Sequence, residues 1–86
     1  MGKHAKLMQK VLAGSSDGNI AFLALCQLLV RLGFAERVSG SHHIFTREDV
    51  VEILNLQPKG SQAKPYQVKQ VRRILVKYRL GESDGD

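Results

Sequence analysis

The chain has 86 residues, enough for one domain and too few for a second core. Its apolar fraction of 43% is that of a folded protein, and without an apolar run of about 18 residues it has no membrane span. The net charge of +5 is unevenly placed: residues 59–80 carry seven Lys and Arg and no acid, residues 1–58 are nearly balanced, and the last six include Glu82, Asp84 and Asp86. One strongly basic segment points to a polyanion or an acidic protein as partner. No long apolar stretch follows Lys3 and Lys6, so no signal peptide is read. The single cysteine, Cys26, lies in an apolar helical run, as expected of a buried thiol in a cytoplasmic protein.

From about Lys3 to Leu12, the residues Leu7, Met8, Val11 and Leu12 fall at helical spacing, with Lys3, Lys6 and Lys10 facing away. Gly14 is placed to end this helix, and Asp17 or Asn19 to cap the next. That second helix, roughly Gly18 to Leu32, has the stripe Phe22, Leu25, Cys26, Leu29 and Leu32, widened by Ile20, Leu23 and Val30. It needs cover on more than one side, with a sheet on one flank and the first helix on the other as the simplest solution. Gly33 stops it.

Strands are predicted over 34–38 and 41–46, joined tightly at Ser39-Gly40, and over 50–56. In the third, Val51, Ile53 and two leucines are read as alternating with Glu52 and Asn55. Residues 59–65 read as a flexible basic loop. The last helix begins near Pro65 or Tyr66, with Val68, Val71, Ile74, Leu75 and Tyr78 on one side and Lys69, Arg72, Arg73, Lys77 and Arg79 on the other. Tyr66 either stacks a base of single-stranded RNA or plugs the core at the helix start, with the core the preferred reading. The whole is a single domain over 1–80 (added helix 1–14, core 18–80), with an acidic, disordered tail over 81–86.

Between the first two strands lies Gly40-Ser41-His42-His43-Ile44-Phe45. The pleat sends His42 and Ile44 to one face, His43 and Phe45 to the other, so at most one imidazole enters the core. An exposed histidine suits acid–base chemistry near neutral pH. The plainer reading is a hairpin-end histidine that is solvated or bonded to backbone. No Cys-x-x-Cys occurs and neighbouring strand histidines diverge, so no metal site and no cofactor are expected.

The Leu32-Gly33-Phe34 step, the Gly-Ser-His-His corner and the basic helix opening Lys64-Pro65-Tyr66-Gln67 together resemble the HicA family, toxins of type II toxin–antitoxin modules. The resemblance runs from about Ile20 to Tyr78. It implies an α+β fold similar to the double-stranded-RNA-binding domain, a three-stranded antiparallel sheet packed by helices, here in the order α-α-β-β-β-α with an extra N-terminal helix. It also implies ribosome-independent cleavage of mRNA and neutralisation by a HicB-like antitoxin. The family's functional histidine, the first after Gly-Ser, is here His42. This chain departs from the family in residues 1–17 and in Thr46-Arg47-Glu48-Asp49, which sets two acids near the presumed RNA path.

In this reading His42 moves a proton, Gly40 and Ser41 place the phosphate, and Lys64, Lys69, Arg72 and Arg73 hold the RNA backbone. His43 is read as structural. Two other readings fit the same residues: a non-catalytic RNA-binding module on the same fold, and a basic protein that docks on an acidic partner.

Overall fold

Leu7, Met8 and Val11 recur at helical spacing, and in the computed structural model, which describes residues 2–81, they form the inner side of α1, Lys3–Ala13. An isolated helix of this length is marginal in water, so packing must hold it. Val11 is fully buried, while Leu12 remains exposed. Gly14 ends the helix in the left-handed region at φ 76°, as its position predicts. The side chain of Lys3 and residues 82–86 of the expected tail lie outside the described residues.

The second helix, α2, spans Phe22–Arg31 and is shorter than its apolar pattern predicts. Asp17–Asn19 form a separate single turn of 3-10 helix, and neither Asp17 nor Asn19 caps α2. The reason is tertiary: the Asp17 carboxylate is taken by Arg72, and Ala21 is bridged to Gln62. Phe22, Leu25, Cys26, Leu28 and Leu29 are buried. Leu23 and Val30, expected to widen the apolar stripe, are exposed. The helix closes with two reversed bonds, Gly33 N–H to the Val30 carbonyl and Phe34 N–H to the Leu29 carbonyl, with Phe34 buried behind them.

Three antiparallel strands follow in the spatial order β1-β2-β3: β1 Ala35–Ser39, β2 His42–Arg47 and β3 Val50–Leu56. The β1–β2 turn is Gly40-Ser41, one residue later than predicted, with Ser39 paired to His42. Gly40 takes φ 61° at the first turn position, where a tight hairpin that matches strand twist needs a positive φ.

The in–out assignment of β3 is corrected. Val50, Leu54 and Leu56 face the core, whereas Val51 (88% exposed) and Ile53 (65%) share the open face with Asn55. An irregularity in the β2–β3 pairing between Phe45 and Arg47 accompanies this register. Residues 59–65 are also not a simple loop. Pro58–Lys59 (β4) pairs with Gln62–Ala63 (β5), and Ala63 N–H donates to the Ile20 carbonyl.

The last helix, α3, runs over Pro65–Lys77 with proline in its first turn. Val68, Val71, Ile74 and Leu75 join Phe45, Leu54, Leu56 and the α1 and α2 residues in one core. Arg79, at φ 54°, takes the left-handed position after the helix, and Leu80 N–H returns to the Leu75 carbonyl. The helices cover one face of the sheet, and the other face is open. This is an α+β arrangement compatible with the double-stranded-RNA-binding-domain likeness.

Candidate active site

The site is built on the turn at Gly40-Ser41, because a tight hairpin fixes where the next residue points. His42 opens β2 and is exposed, on the open face of the sheet. Two steps along that face, across the β2–β3 pairing, stands Asn55, which pairs with Ile44. Its Oδ1 lies 3.0 Å from Nδ1 of His42. With the amide oxygen as acceptor, the imidazole proton sits on Nδ1 and Nε2 presents its lone pair to solvent. This is the tautomer of a base whose ring is held from behind.

The pleat separates the two histidines as the sequence predicts. The ring of His43 turns inward, edge-on to Phe22 with centroids 4.9 Å apart, and its Nδ1 lies 2.8 Å from Glu36 Oε2. The corner therefore offers a substrate one imidazole.

Ser41 is tied to the helical layer. Gln57 Nε2 donates to Ser41 Oγ at 2.9 Å, and Lys64 Nζ donates to Gln57 Oε1 at 3.4 Å. Gln57 N–H donates to Oε1 of Gln67, a buried amide whose Nε2 reaches Tyr66 Oη. Ser41, flanked in the chain by Gly40 and His42, is thus joined to Lys64 by a polar network. Tyr66 is at the edge of that network and is 57% exposed, so it is not the core plug expected from its position. An aromatic ring whose hydroxyl keeps a polar partner stays out of a core already filled by Val68 and Leu56.

The basic helix divides into two kinds of cation. Lys69 and Arg73 are exposed, and neither is in an ion pair among the described residues. Arg72 grips Asp17 with two bonds, 2.8 and 3.0 Å, and also donates to the Val11 carbonyl at 3.0 Å. Its guanidinium lies against Gly14, where a Cβ would touch it at 3.4 Å. The paired bonds between Arg72 and Asp17 hold the Asp17 carboxyl below its usual range and raise the guanidinium's own pKa. At the other end of α3, Lys77 and the Tyr78 hydroxyl both donate to Glu52 at 2.6 Å, which brings its carboxyl down to about 2.

Asn55, Gln57 and Gln67 are the site residues that sequence reasoning missed. Only the register of β3 and the chain's path into α3 bring them to the corner. A recess of about 360 Å³ lies at the opposite end, lined in part by Arg31, Arg47, Asp49 and Arg79, and none of the corner residues borders it. An open corner of this kind suits a polymeric ligand, which supplies contacts along its own length.

Residues 24–76, more than half of the chain, match the family model described as HicA toxin of bacterial toxin-antitoxin. No curated protein and no solved structure is matched.

Proposed function

The chain belongs to the HicA toxin family of bacterial toxin–antitoxin systems, and from that premise we propose that it is an mRNA-cleaving endoribonuclease in which His42 moves the proton. The observation that carries the reading is the His42–Asn55 bond, which holds an exposed imidazole with Nε2 outward on an open sheet face. Nε2 takes the proton of a ribose 2′-hydroxyl. The resulting oxygen attacks the adjacent phosphorus, and the bond to the 5′-oxygen breaks. That oxygen is protonated as it leaves, so the products are a 2′,3′-cyclic phosphate and a 5′-hydroxyl. Imidazolium formed in the first step is a proton source for the second.

Negative charge gathers on the phosphoryl oxygens during attack. In this reading the Gly40-Ser41 backbone and the Ser41 hydroxyl, which accepts from Gln57 Nε2, orient that group. Lys64, Lys69 and Arg73 attract the flanking phosphates. The family implies an antitoxin as partner, and we assign this role to a HicB-like protein that covers the basic and histidine-bearing surface.

The test is purified protein with a reporter mRNA, no ribosomes and excess chelator, alongside inducible expression in a bacterium. Wild type should cut the RNA and arrest growth. His42→Ala should lose about 10²–10⁴ in rate while remaining folded. Equal cleavage by both proteins would move the catalytic group elsewhere. RNA binding without cleavage by either would make the chain a non-catalytic binding module.

A further inference from the structure

We propose that Cys26, Glu36 and His43 form a binding site for a borderline-soft divalent cation of the zinc type. The three residues come from α2, β1 and β2, and meet on the inner face of the sheet, behind the strand that carries His42. One ligand atom from each lies within 4.8 Å of the other two. His43 and Glu36 are already in contact at 2.8 Å, and the Phe22 ring sets the plane of the imidazole. The thiol is buried, while Glu36 and His43 retain side-chain exposures of 28% and 19%, which leaves a path for an ion.

One thiolate, one imidazole and one carboxylate make a donor set that tetrahedral zinc accepts, with water in the fourth position. Metal–ligand lengths of about 2.0–2.3 Å place neighbouring donors roughly 3.5 Å apart. Closing the present triangle therefore takes side-chain rotations of roughly an ångström, without a change of fold. Burial and then the charge of Glu36 push the Cys26 thiol up to about 12. A bound dication reverses that balance: the S–H bond gives its proton to solvent and sulfur donates to the metal. The Glu36–His43 hydrogen bond opens, the imidazole proton leaves Nδ1 for Nε2, and the Nδ1 lone pair and the carboxylate turn to the ion. The thiolate and imidazole select zinc over magnesium or calcium. The ion would clamp the edge strand to α2 and stay off the open face where His42 lies.

The experiment is an anaerobic titration of the full-length, tag-free protein with Co²⁺, followed by displacement with Zn²⁺ and a thermal melt. The proposal requires one equivalent bound, a thiolate-to-cobalt charge-transfer band, a rise of several degrees with Zn²⁺ and none with Mg²⁺. Cys26→Ser should abolish the band, and Glu36→Gln should weaken binding by about tenfold or more. A folded wild type that shows no such band overturns the proposal, as does zinc affinity unchanged in Cys26→Ser. Should Cys26→Ser fail to fold, Glu36→Gln and His43→Gln decide: unchanged cobalt affinity in both overturns it.

Discussion

A histidine at the end of a hairpin turns about two bonds unless something holds its ring, and at His42 that something is Asn55. In the proposed mechanism Asn55 acts through the imidazole, as a positioning residue. Losing a neutral hydrogen bond of this kind costs about 1 kcal/mol, a factor of about five. Asn55→Ala should therefore lower kcat about fivefold with KM unchanged. Asn55→Asp puts a carboxylate beside the ring, which favours imidazolium, so the acid limb of the pH–rate profile should move to higher pH. An unchanged kcat in Asn55→Ala, or an unmoved limb in Asn55→Asp, would remove Asn55 from the mechanism. The strand alternation was enough to separate outward His42 from inward His43. Asn55 was not legible as the neighbour of His42, because its position depends on a β2–β3 register that spans thirteen residues.

Two side-chain contacts tie α3 to elements far along the chain. Arg72 joins α3 to the turn after Gly14 and to the Val11 carbonyl in the last turn of α1. Its bonds are charge-assisted and mostly shielded, so Arg72→Ala should cost about 2 kcal/mol, or roughly 10 °C in Tm, by denaturant and thermal unfolding. A shift within about 0.5 kcal/mol would show the pair to be solvent-screened instead. Glu52 links β3 to the end of α3. Its folded carboxyl, at about 2, lies below the unfolded value of about 4.3. The folded chain thus binds this proton more weakly, so its stabilisation is complete above about pH 4.3 and is lost as pH falls toward 2. Glu52→Gln should flatten the stability profile in that interval and leave its shape above about pH 5 unchanged. Helix positions were legible from periodicity and from Gly14, Gly33 and Pro65. The β3 faces and the β4–β5 hairpin were not, since Val51 and Ile53 look like core residues and residues 59–65 carry loop composition. Only pairing with Ile44, Ala21 and Ile20 reveals where they go.

At the scale of the whole molecule, the chain separates an open sheet face bearing His42 from a helical layer whose basic charge is concentrated in α3. The charge asymmetry was plain in the sequence, but not the division of labour within it, because Arg72 and Arg73 are neighbours in a row of cations. Tertiary structure sets Arg72 against Asp17 and leaves Arg73 and Lys69 to solvent. Each phosphate neutralised on single-stranded RNA contributes about −0.7 to the slope of log K against log salt. Measured in a His42→Ala background to prevent cleavage, Lys69→Gln and Arg73→Gln should each flatten that slope by about 0.7 and leave Tm unchanged. Arg72→Gln should do the reverse, lowering Tm while the slope stays as it was. If the Lys69 and Arg73 variants leave the slope unaltered, the RNA runs elsewhere and the basic helix face is free for an acidic partner. If Arg72→Gln flattens it, the Asp17 pair opens to admit a phosphate, and stability and substrate compete for the same guanidinium.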